Sequence, residues 1–222
     1  MVGTYHSTAP AFEIPLEQHD VRETAVFRTI LDDYQPDVVV NCAAMTDVDG
    51  CESDREAAFE VNGTAPGDLA SCCTARDIPF VHVSTDYVFD GGASKPYDGA
   101  ASTDPRQVYG ESKLAGEEAV QNVDGDVLVA RFSFVYGVRG DTDELVGFPA
   151  WVRNTLANSD DVLLFIDQHL TPTRAGQAAD TFLDLLEAEA KGLYHVTCRS
   201  CVTPYALGHK IGPAGYGRHA GR

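Results

Sequence analysis

The chain has 222 residues, 44% of them hydrophobic, which provides for one substantial core with a small appended lobe and excludes a disordered chain or a short disulfide scaffold. Its formal net charge of -18 is spread along the sequence; it opposes attraction to nucleic acid or anionic membrane and suits strong salt, where screening relieves self-repulsion. The longest apolar runs, PDVVV and DVLLFI, fall far short of the roughly 18 residues of a membrane span, and no basic-then-apolar leader precedes them, so a soluble, cytoplasmic, halophilic protein is expected.

Residues 20 to 34, DVRETAVFRTILDDY, place Val26, Phe27, Ile30 and Leu31 on one helical face, with Asp20 and Glu23 spaced like a capping box. A helix is expected from near Arg22 to just before Pro36. The following DVVVNCAA is a β-branched run suited to a strand buried on both faces. ESDREAAFEVN and GTAPGDLASCCTAR read as helical, IPFVHVST as a strand, VYGESKLAGEEAVQN as a helix and DVLVARFSFVYG as a further buried strand. FPAWVRNTLANS is predicted helical, DVLLFI a strand, AGQAADTFLDLLEAEA a strong amphipathic helix and VTCRSCVTPYALGHK a capped helix, before an aperiodic tail IGPAGYGRHAGR.

This alternation predicts an α/β fold, a doubly wound parallel sheet covered by helices. The Gly- and Pro-rich stretch from Asp90 to Pro105 follows a strand end, which puts it over the crevice where such sheets bind ligands, as a lid or substrate loop. Six cysteines include the adjacent Cys72 and Cys73, a Cys42 expected in a buried strand, and a lone CRSC at Cys198 to Cys201. Structural zinc needs four ligands at recognisable spacing, so reduced thiols and no metal are expected.

VYGESKLAGE carries Tyr109 four residues before Lys113, one turn apart on a helix. A phenol of ordinary pKa about 10 is a poor acid-base catalyst near neutrality, but a neighbouring ammonium favours the phenolate. Ser84 and Thr85, in VSTDYVF at a strand's C-terminal end, offer a hydroxyl to hold a substrate carbonyl against the tyrosine. Alone, Tyr-x-x-x-Lys is more often merely an exposed helical pair; its place after a ligand-side loop and a Ser-Thr strand end favours chemistry.

With PDVVVNCAAMTDVDGCE, AFEVNGTAPGDLA, VHVSTDYVFDG, YGESKLAGE, ARFSFVYG and DQHLTPT in view, the chain from about Val2 to His195 resembles the extended short-chain dehydrogenase/reductase superfamily. Within it the chain looks most like the dTDP-4-dehydrorhamnose reductases. The resemblance implies a Rossmann-like fold and NADPH- or NADH-dependent reduction of a nucleotide-linked 4-keto-6-deoxy sugar. It implies Tyr109 as proton donor to the C4 carbonyl, Lys113 lowering the phenol's pKa and bonding the nicotinamide ribose, and Thr85 orienting the substrate oxygen. Asp20 and Val21 resemble adenine contacts, and Asn41, Cys42, Ala43 and Ala44 the backbone passing under the cofactor. Val83 and Ser84 fall on the cofactor side, Asp86 and Phe134 on the substrate side, and Asn62 beneath the catalytic loop. The family's habit implies a homodimer.

The sequence departs from that pattern in places. MVGTYHS resembles the end of the superfamily's second strand, so the first βα unit, with the Gly-rich turn that anchors the cofactor pyrophosphate, is expected to be missing. Met45 stands where the family often has tyrosine, and Phe134 where this branch often has tryptophan. Residues 1–138 are read as a partial dinucleotide-binding domain and 139–222 as a substrate-side segment, with 161–190 returning to the main domain. Two other readings stay open: a nucleotide-sugar epimerase or dehydratase, with Asp86 as an extra acid, and a non-catalytic relative resembling those that partner methionine adenosyltransferase.

Overall fold

The computed structural model describes residues 1–93, 95–158 and 160–211. In chain order its elements are β1 (Gly3–Tyr5), β2 (Leu16–Gln18), α1 (Thr24–Tyr34), β3 (Val39–Asn41), α2 (Val48–Ser53), α3 (Arg55–Phe59), α4 (Ala65–Thr74), β4 (Phe80–Thr85), α5 (Val108–Gln121) and β5 (Val127–Phe132). There follow β6 (Val135–Val138), β7 (Leu145–Val146), α6 (Phe148–Ala157), β8 (Thr173–Arg174), α7 (Ala175–Glu187), β9 (Gly192–Val196) and α8 (Pro204–Ile211). A π-helical turn, Glu60–Thr64, joins α3 to α4, and a 3-10 turn, Asp86–Val88, follows β4. The predicted tail from 212 on lies outside the described residues.

The chain forms two compact units. The first comprises Met1–Phe132 with Leu185–His195, and the second Ser133–Asp184 with the described residues from Val196 on. In the first, β3, β4, β5 and β9 form one sheet in that order, and β1 and β2 a separate pair. β1 runs parallel to β2, β3 to β4 and β4 to β5. This is the α/β parallel-sheet architecture that the alternation predicts. Its core joins Phe27 and Leu31 of α1, Leu69 and Cys73 of α4, Val120 of α5, Phe80 of β4 and Val129 of β5. Each fully buried side chain of this size contributes roughly 1.5–3 kcal/mol by leaving water.

The second unit has its own small sheet, β7-β6-β8, antiparallel between β6 and β7 and parallel between β6 and β8. Phe134 enters it with φ 42°, and its ring meets that of Phe148 edge-on at 5.4 Å.

Several local expectations are corrected. DVLLFI forms no strand: Leu163, Phe165 and Ile166 are 77%, 68% and 67% exposed, because an apolar run becomes a strand only where a sheet edge receives it. The run after Pro36 yields only β3, and Val40 is exposed, since β3 pairs with β4 and not with β1. Cys42, expected in a buried strand, is exposed. Asp20 and Glu23 form no capping box: α1 starts at Thr24 without a side-chain cap, and Asp20 instead accepts from the Arg22 backbone and guanidinium. That pairing holds the Asp20 carboxyl well below the usual carboxylate range.

Candidate active site

The end of β4 and the start of α5 are brought together by a glycine. A Cβ on Gly110 would lie 2.3 Å from the Tyr87 carbonyl oxygen, so only glycine lets this helix approach the 3-10 turn so closely. The first turn of α5 is capped from outside: the Val108 backbone N–H donates to Glu52 Oε1 at 2.9 Å, and the carboxylate also suits the helix's positive end. Tyr109, next in line, is half-buried, with its ring edge-on to Tyr87 at 5.6 Å and its body against the buried cluster of Cys51, Ala58 and Val108, which Met45 and Phe59 also cover.

Thr85 is buried and accepts from the Tyr87 N–H at 3.2 Å, capping the 3-10 turn. Burial pushes the Tyr109 phenol up, while its hydrogen bond with Thr85 works in the opposite direction and Asp86 reinforces the rise. From its spacing Lys113 is expected to draw this phenol down. Instead the Lys113 ε-nitrogen donates to the Val83 carbonyl at 2.7 Å and lies 3.2 Å from His82 Nε2. Lys113 is 2% exposed, and burial brings it down to about 8, against the opposing pull of Glu117 and Cys42.

Ser84 takes a different path from its neighbour. Its hydroxyl donates to Glu117 Oε1 at 2.5 Å, and Glu117 holds Arg131 through two further bonds at 2.8 and 2.6 Å, all within the interior. The guanidinium lies over the Phe89 ring at 5.1 Å. Of the two hydroxyls, it is Thr85 that acts on the Tyr109 phenol, pulling against burial.

Asn62, fully buried in the π-helical turn, clamps Met45 by accepting from its N–H at 2.8 Å and donating to its carbonyl at 3.0 Å. It also donates to Ser112 Oγ at 3.1 Å, and Ser112 donates to the Tyr109 carbonyl. The wider π turn places this amide between the loop after β3 and the first turn of α5, and such turns recur at functional positions. Asn41 is buried and accepts from the Ala43 N–H.

A cavity of about 340 Å³ joins Asp20 and Val21 to Ala43 and Ala44, with Tyr5, His19 and Met45 among the other walls. It unites residues that the sequence placed at a cofactor from two separate segments. His19 is 5% exposed, and its buried Nε2 finds no hydrogen-bond partner among the described residues.

The RmlD substrate binding domain matches residues 4–214. The chain belongs to this family. The RmlD-domain chain is 56% identical over 211 residues to a probable low-salt glycan biosynthesis reductase of Haloferax volcanii, covering 95% of this chain and 70% of the relative. It is 39% identical over 194 residues to a dTDP-4-dehydrorhamnose reductase of Streptomyces griseus, covering 85% of this chain and 62% of that one. The chain thus spans about two thirds of the length of these relatives. The solved dTDP-4-dehydrorhamnose reductase of Bacillus anthracis in complex with NADP superposes with a TM-score of 0.84 at 23% identity, covering 95% of this chain and 78% of that one; at that identity it shows the shared Rossmann-like fold.

Among the family chain's site groups, His82, Glu117, Arg131, Glu52 and Ser112 escaped the sequence reading. One signal was available. Alternation along VHVST puts His82 and Ser84 on the same strand face, and Lys113 and Glu117 are one turn apart on α5. A buried polar strand face opposite a Lys-Glu helix face implies that the two pair. Phe134 belongs to the second unit, and Asp86 opens the 3-10 turn.

Proposed function

We propose that this chain carries the catalytic part of an NAD(P)H-dependent reductase of a nucleotide-linked 4-keto-6-deoxy sugar, converting dTDP-4-dehydrorhamnose to dTDP-L-rhamnose. The observation that carries the reading is the close approach of the first turn of α5, with Tyr109 and the buried Lys113, to the turn that Thr85 caps, which Gly110 permits, in a chain whose relatives bear that reductase name.

The residues present fit part of a dinucleotide. Asp20, Val21, Ala43 and Ala44 around the cavity would receive the adenosine end. Asn41, Cys42 and Val83 continue toward the nicotinamide end, where Ser84 supports the strand through Glu117. Among the described residues no Gly-rich turn faces the pyrophosphate. When bound, the reduced nicotinamide supplies the hydride that reaches C4 of the sugar.

The chain's own work is proton transfer and orientation. Burial raises the phenol's pKa, so Tyr109 retains its proton near neutrality and releases it only to a stronger base, the oxyanion developing at C4. Thr85 orients that oxygen, Lys113 holds ribose hydroxyls and supports the phenolate left behind, and Asp86 stands on the substrate side. The reading takes the chain as a homodimer.

The test is turnover with NADPH and dTDP-4-dehydrorhamnose. Tyr109→Phe should abolish it with cofactor affinity retained, and Lys113→Ala should impair both.

A further inference from the structure

Lys113 ends a row of hydrogen bonds whose directions are fixed from the other end. The Ala43 N–H donates to Asn41 Oδ1 at 3.1 Å, which turns Asn41 Nδ2, a donor, toward His82 Nδ1 at 3.2 Å. A ring nitrogen facing an amide N–H must accept, so the proton of the neutral imidazole sits on Nε2. That Nε2 lies 3.2 Å from Lys113 Nζ. Two N–H groups cannot bond to each other, so the lysine must offer a lone pair, which only the uncharged amine has. The amine still has hydrogens for the Val83 carbonyl at 2.7 Å. His82 is 0% exposed and Lys113 2%, so bulk water does not relax the constraint.

We infer that Asn41, His82 and Lys113 form a relay in which His82 is a positioning residue: with its proton on Nε2 it holds Lys113 as the amine, and Lys113 becomes an ammonium only as that Nε2 proton passes to its Nζ while one proton from solvent is taken up at Nδ1 and Asn41 turns to accept from Nδ1–H. The turn of Asn41 releases the Ala43 N–H, so the charge on Lys113 is coupled to the loop after β3 that walls the cavity. The other titratable groups facing Lys113 are Glu117 on its own helix and Cys42 beyond β3. Glu117 is already held by Arg131 and Ser84, which leaves His82 as the partner able to follow the lysine's proton. Burial holds His82 well below the ordinary imidazole range, so the ring stays neutral and changes tautomer rather than charge. The inference rests on the proposed reductase only for why this charge matters to Tyr109; the relay itself is tested without turnover.

The experiment is a pH titration of the full chain, labelled with 15N-histidine and 13C-lysine, followed by NMR without cofactor. The expected result is a His82 ring protonated on Nε2 at high pH that takes the Nδ1–H form with the same midpoint as Lys113, near 8. In Asn41→Asp the carboxylate accepts from Nδ1–H, so the ring should stay in the Nδ1–H form throughout and the Lys113 midpoint should rise by about one unit. A wild-type ring protonated on Nδ1 at every pH, or one that keeps a single tautomer while Lys113 titrates, overturns the relay. So does an Asn41→Asp chain in which Lys113 shifts while the ring remains protonated on Nε2, since that is attraction between charges alone. Loss of reductase activity with the coupled titration intact would count against the proposed function and leave the relay standing.

Discussion

Glu117 and Arg131 face each other across the buried space between α5 and β5, joined by bonds at 2.8 and 2.6 Å with side chains 0% and 6% exposed. Such a pair adds little net stability over an apolar packing, but removing one partner strands the other charge in a low-dielectric interior. Glu117→Gln is expected to cost about 3–5 kcal/mol, read as a lower denaturation midpoint in guanidinium chloride. Because Ser84 donates to the same carboxylate, the end of β4 should loosen as well, visible as faster amide exchange at Ser84 and Thr85.

Gly116 links fold to site. A Cβ there would sit 2.1 Å from the Asn62 carbonyl oxygen, a distance backbone cannot absorb without moving. Gly116→Ala should therefore displace the π-helical turn and its clamp on Met45, at a cost of about 1–3 kcal/mol. A crystal structure or amide chemical shifts of the variant would check whether the change centres on Asn62 and Met45.

Lys113 gives stability a pH signature. Its folded-state value, about 8, lies below the ordinary 10.5, so between these limits the unfolded chain binds more protons than the folded one. Stability contributed by this group is therefore lowest below about 8 and rises with pH toward 10.5. The rise amounts to roughly 3 kcal/mol. Lys113→Met should remove it, and the difference between the two chains' denaturation profiles isolates the lysine from the thiols and phenols titrating in the same range.

The charge of -18 predicts a salt requirement. Like-charged surface groups repel over about a Debye length, which contracts to about 3 Å at molar salt. The midpoint of thermal unfolding should rise steeply with potassium chloride up to about 1 M and then level off.

The legible parts of the sequence were those whose signal is local. The helices now seen as α1, α5 and α7 show their faces through apolar spacing, and the Tyr109 to Lys113 interval fixes a shared helical side. The family blocks proposed a link from Tyr109 to Thr85, which no local spacing reveals. What escaped depends on partners remote in sequence. DVLLFI has the composition of a strand and no sheet edge to join. The direction of Lys113 is set by Val83 and His82, about thirty residues away. Asp20 has the residue type of a cap but is captured by Arg22 at 2.6 Å.

The most direct test of the reductase account is NADPH oxidation by this chain in strong potassium chloride, with and without dTDP-4-dehydrorhamnose, alongside Tyr109→Phe. The account predicts sugar-dependent oxidation yielding dTDP-L-rhamnose, with the variant binding NADPH as the parent does and turning over at least a hundredfold more slowly, on the order expected for loss of a general acid. Oxidation at the parental rate in Tyr109→Phe, or NADPH bound without any transfer to the keto sugar, would contradict it.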